Sequence, residues 1–183
     1  MKKAFITFNE GLVWVEKILI AILSFIILFV IFWQVICRYV LLISTPWAEE
    51  LARYSFICLA YIGAGTGVYY SLFVSIDLID KIIEWTVKNP KWAAICNTIV
   101  EKTSLVLTLI FLVIFGYYSM NYVQTIASVG QYSVAMKLNL AIPMMSIPIG
   151  MVCMAIHSLC LLFTTEEDRK AVLADLKIRR KKK

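Results

Sequence analysis

Few residues in this chain have the types and spacing to do chemistry. The only histidine is His157. Cys153 lies four residues before it and Cys160 three after, so the three share one helix face. Zinc takes such nitrogen and sulfur ligands, but a fourth is not in view. Packing of small residues accounts for the cysteines equally well and is the preferred reading, with no metal and no cofactor expected. A lone histidine cannot supply a bis-histidine haem, and no Ser/His/Asp set can be assembled around it. Cys37, Cys58, Cys96, Cys153 and Cys160 contain no C-x-x-C pair and are expected to be free thiols. No Gly-Lys-Ser/Thr phosphate loop is present. The remaining cluster is ionic: Glu49, Glu50 and Arg53, with Arg38 fifteen residues before Arg53. Arg53 follows Glu49 by four and Glu50 by three, so acid and base share a face. Arg38 could reach the same carboxylates across a hairpin. Thr45 is a suitable N-cap and Pro46 a suitable first helical residue. The bland reading is that the cluster anchors the hairpin. The functional one adds a contact to another subunit, made by Arg38, Trp47, Glu49, Glu50 and Arg53.

The elements that position these residues follow from hydropathy. Of 183 residues, 61% are hydrophobic and 16% charged, and mean hydropathy is +0.82. A soluble domain is about half apolar and a quarter charged. Soluble enzymes, disordered segments and disulfide-stapled modules are thereby excluded. Charge-free runs cover Ile18–Cys37, Tyr54–Ile76, Thr103–Met136 and Leu138–Thr165, and a helix needs about 20 such residues to cross the hydrocarbon core. The expectation is an all-α integral membrane protein of one domain, 1–183, with spans at about 16–38, 47–70, 92–122 and 138–164. The polar stretch Gln124, Thr125, Ser128, Gly130, Gln131 and Ser133 reads as loop. The first span has no small-residue cleavage site after it and is not read as a signal peptide. Fifteen of the Lys/Arg residues fall on one side of this layout and three (Arg38, Arg53, Lys137) on the other, which predicts both termini in the cytoplasm. The basic tail, 165–183, is accordingly read as a topology signal. It lacks the aromatic platform of a nucleic-acid site.

Between spans two and three, Asp77, Lys81, Glu84 and Lys88 recur with helical period opposite Ile76, Ile79, Ile83 and Val87. An amphipathic helix at about 72–89, lying on the membrane surface and ended by Pro90, is expected. Span three, from near Trp92 to Tyr122, is longer than the core requires and should tilt or project. Pro143, Pro148 and Gly150 predict a bend where span four begins. Gly63, Ala64, Gly65 and Gly67 permit close helix approach, within the bundle or to another subunit. The span interiors read as aliphatic and aromatic, with Gln34, Asn121 and His157 placed near span ends.

Gln34-Val35-x-x-Arg38-Tyr39 followed by Trp47-x-Glu49-Glu50-Leu51-Ala52-Arg53 resembles the small membrane subunit of tripartite ATP-independent periplasmic (TRAP) transporters. Asn139-Leu140-Ala141-Ile142-Pro143, with Pro148 and Gly150, resembles that family's fourth helix. The resemblance covers nearly the whole chain. One departure is Phe73-Val74-Ser75-Ile76-Asp77, which keeps an aspartate but lacks the histidine often found before it. The resemblance implies a bacterial inner-membrane protein, paired with a large membrane subunit that carries the substrate and sodium sites and moves as an elevator. It also implies a periplasmic protein that delivers an organic acid anion. C4-dicarboxylates and sialic acids are the leading substrates, with a lean to the sialic-acid branch. The expected role is non-catalytic: bracing the large subunit and contributing to docking, with Asp77 a further contact at the cytoplasmic rim. A small homodimeric multidrug exporter would need a carboxylate deep in a span, against the charge-free runs. A redox or haem anchor is the other alternative.

Overall fold

The structure is a computed structural model and describes residues 2–70 and 90–164. Helix α1 spans Lys2–Tyr39, α2 Pro46–Tyr69, α3 Pro90–Val129, α4 Ala141–Met144 and α5 Ser146–Phe163. Four helical segments are long and apolar enough to cross a membrane, with α4 and α5 together forming the last. This is the form a lipid solvent enforces, because a helix satisfies its own backbone polar groups. The expected surface helix at 72–89, Asp77 within it, and the tail 165–183 lie outside the described residues.

The helices stand in a row. α1 packs on α2 and more lightly on α5, α2 packs on α5, and α5 on α3, while among the described residues the backbone of α3 approaches neither α1 nor α2. α5 is therefore central: 44% of its most apolar window is buried, against 6% for α1 and for α3. Its seam with α2 requires Gly150, where an added Cβ would stand 2.8 Å from the Tyr61 carbonyl oxygen. Val68, Leu112, Met151 and Met154 bury a shared cluster from α2, α3 and α5. The small-residue stripe of α2 divides between two faces. Gly65 and Ala64 point into the packing, against Glu16 and the central cluster respectively, whereas a Cβ on Gly63 or Gly67 would meet nothing within 4 Å. Helical geometry requires that split, since Gly63 and Gly67 share a face and Gly65 lies opposite.

One local expectation changes. The stretch around Gln124, Thr125 and Ser128, read as loop, is helical to Val129. Its hydroxyls turn back on the helix: Thr125 donates to the Asn121 carbonyl and Ser128 to the Thr125 carbonyl, both at 2.9 Å. Val123 and Ile126 meanwhile bury against Ala141. The helix stops at Gly130, which takes φ +67° and donates back to the Ile126 carbonyl at 3.1 Å, a left-handed cap that glycine adopts without strain. α1 begins at Lys2 and is already helical ahead of the expected first span. At the expected bend, the start of the fourth span carries a single turn residue, Met145, between α4 and α5. Pro148 has no N–H for the Met144 carbonyl, and Ser146 Oγ donates to the Pro143 carbonyl at 2.7 Å.

Candidate functional site

The α1–α2 linker and the α3–α4 loop lie at one end of the row. Thr45 occupies the N-cap position of α2 and Pro46 follows it, but the Thr45 hydroxyl makes no capping bond. The helix start is instead closed by the Ala48 N–H donating to the Thr45 carbonyl at 3.1 Å. One turn in, the two carboxylates part company. Glu49 pairs with Arg53 at 3.3 Å, both largely exposed. Such surface pairs contribute about 0–1 kcal/mol. Glu50 reaches the α3–α4 loop, where its Oε1 accepts from the N–H groups of Val134 and Ala135 at 3.1 Å and its Oε2 from Met136 at 3.0 Å. Three successive amides cradling one carboxylate form a backbone nest. Ser133 and Leu138 close the loop beneath it, Ser133 N–H donating to the Leu138 carbonyl at 2.8 Å. Lys137 takes the left-handed φ of +52° that the turn demands. Glu50 thus fixes a loop whose tip, Val134, is 92% exposed.

Of the remaining predicted residues, Trp47 is exposed beside the loop end. Arg38 does not join the carboxylates. Among the described residues it forms no ion pair with Glu49 or Glu50, and its guanidinium lies 6.0 Å from the Tyr39 ring centroid. The reason is the linker. After Tyr39 the chain turns through Leu42 at φ +55°, with Ile43 N–H bonded to the Cys37 carbonyl at 2.9 Å, and this separates the end of α1 from the first turns of α2.

The opposite end holds a polar cluster that the sequence reading missed. His157 lies in the second half of α5. It is fully buried there, its Nδ1 2.7 Å from Asn9 Oδ1 and its Nε2 3.0 and 3.1 Å from the two Glu16 oxygens. Thr66 donates to Glu16 Oε2 at 2.8 Å, and Tyr69 donates to Glu10. The interior is therefore not purely apolar: α1, α2 and α5 meet around an acid–histidine pair. The i,i+7 spacing of Asn9 and Glu16 places them on one helix face and was the available signal. It lay upstream of the charge-free run and so outside the expected span. With both ring nitrogens occupied, His157 acts as a clamp between helices. Cys160 packs against Ile6 in the same region, and no disulfide joins any of the cysteines among the described residues. Lys102 of α3 closes this end by donating to the Leu161 and Leu162 carbonyls at 3.3 and 2.9 Å, where a cation suits the C-terminus of α5.

No curated protein matches the sequence. The family model described as the DctQ component of tripartite ATP-independent periplasmic transporters matches residues 27–167, a range that runs from within the first span through the ionic hairpin, the Glu50-held loop and the broken fourth span. The chain belongs to that family and is a multi-pass, membrane-embedded component of a TRAP transport system.

Proposed function

We propose that this chain is the non-catalytic small subunit of a sodium-coupled TRAP importer for an organic acid anion, a sialic acid or a C4-dicarboxylate, and that it works as a static brace. Both termini lie in the cytoplasm and the loop end faces the periplasm, as the lysine and arginine bias favours. The observation that carries the reading is the open row of helices. α1 and α3 bury little against their own chain and present Phe25, Leu28, Phe32, Leu107, Val113 and Tyr117 outward. A large membrane subunit with a matching apolar face would cover one side of this row and lipid the other. The periplasmic binding protein would meet the loop end, with Trp47 and the Glu50-held loop in the contact and Glu49 and Arg53 at its rim. Asp77 would contact the large subunit at the cytoplasmic side. The test is uptake by cells carrying the large subunit and binding protein with this chain. Glu50→Gln should lower uptake while the large subunit still copurifies. Unchanged uptake would remove Glu50 from the docking role, and loss of copurification would move it to the brace.

A further inference from the structure

At the loop end, a cleft of about 440 Å³ opens between the last turn of α1, the linker and the first turn of α2, lined among others by Gln34, Arg38, Leu42, Ile43, Thr45 and Glu49. Three polar groups around it have capacity to spare. Arg38 donates to no acceptor among the described residues and lies over the ring of Tyr39. Thr45 Oγ1 is buried with no hydrogen-bond partner. Glu49 engages Arg53 through Oε1 alone, leaving Oε2 for another cation. Beside them the linker is apolar yet uncovered, Leu42 being 84% and Ile43 56% exposed. Tyr39 and Trp47, next in sequence to the lining residues Arg38 and Pro46, are both exposed, and such aromatic residues favour the headgroup level of a bilayer.

The occupant that fits must offer an anion to a guanidinium, an N–H-bearing cation to a carboxylate lining the same cleft, and hydrocarbon to the linker. We propose that the cleft binds the headgroup of phosphatidylethanolamine. The phosphate sits at Arg38 with Thr45 Oγ donating to it, the ammonium donates to Glu49 Oε2, and the acyl chains run over Leu42 and Ile43. Phosphatidylglycerol has no cation for Glu49, and the quaternary ammonium of phosphatidylcholine has no N–H to donate. A water-soluble phosphoamine leaves Leu42 and Ile43 uncovered. Each charge-assisted hydrogen bond should discriminate by about tenfold or more.

The full chain, reconstituted in nanodiscs of phosphatidylethanolamine, phosphatidylglycerol and phosphatidylcholine in equal parts, is released into native mass spectrometry. The expected result is a retained phosphatidylethanolamine adduct, about tenfold above the other two. Arg38→Gln should lower its retention by a similar factor. Glu49→Gln should collapse the preference over phosphatidylglycerol. Equal retention of phosphatidylglycerol, insensitivity to both cleft variants, or displacement of the adduct by free phosphoethanolamine would each overturn the proposal. So would loss of the adduct when the large subunit is bound, which would assign the cleft to a protein contact. The selectivity ratio of Glu49→Gln decides the matter even if Arg38→Gln fails to insert.

Discussion

Glu16 and His157 stand 141 residues apart and share a site with almost no solvent access, the side chains being 3% and 0% exposed. Removing one member of a buried ion-paired or hydrogen-bonded couple strands the other, at about 3–5 kcal/mol. His157→Ala is therefore expected to lower the thermal unfolding midpoint in detergent sharply. Glu16→Gln, which keeps an acceptor for His157 and Thr66, should lower it less. In a double-mutant cycle the two truncations should fall well short of additive; additive losses would show that the pair is not coupled. None of this partnering was legible in the sequence, because an acid at the edge of a charge-free run looks like a boundary marker until the helix beyond it is known to continue. The ionic hairpin was legible as a cluster. The division of labour between Glu49 and Glu50 was not, because the partners of Glu50 are main-chain amides 84–86 residues away, and amides carry no residue type.

At the scale of elements, hydropathy alone located four spanning helices, since lipid admits so few backbone solutions. It misread polar residues at helix ends. Thr125 and Ser128 look like loop formers but satisfy their hydroxyls on the preceding turn, so the end of α3 depends on Gly130 instead. The glycines of α2 and α5 make this sharper, because composition treats them alike and packing does not. Gly150→Ala would drive a Cβ to 2.8 Å from the backbone oxygen of Tyr61, and overpacking of this kind costs about 1–3 kcal/mol. Gly63→Ala meets open space and should leave the unfolding midpoint of the isolated chain unchanged or slightly raised, through helix propensity. If the outward face of α2 forms part of a seam with the large subunit, Gly63→Ala should weaken copurification without weakening the fold. A fall in midpoint for Gly63→Ala would show that the α2 faces are assigned the wrong way round.

For the molecule as a whole, the arrangement of the helices bears on whether this chain can move a solute. Coupled transport in a membrane requires polar or ionisable groups lining a path, commonly at interrupted helices. Here the ends of the row do not meet among the described residues, so the helices close around no lumen. The buried polar groups around His157 are committed to one another, Asn9 and Glu16 to His157 and Thr66 to Glu16, and the unpartnered buried oxygens of Asn97 and Ser158 carry no charge. The interruption at Met145 is bridged locally by Ser146. A closed row would have supplied a channel, and an open row supplies two faces. In liposomes holding this chain alone, under a sodium gradient, labelled sialic acid or C4-dicarboxylate should therefore not accumulate above the rate of protein-free vesicles. Adding the large subunit and the loaded binding protein should restore uptake. Accumulation by the lone chain would mean that copies associate to enclose a path, and the bracing role would then have to be abandoned.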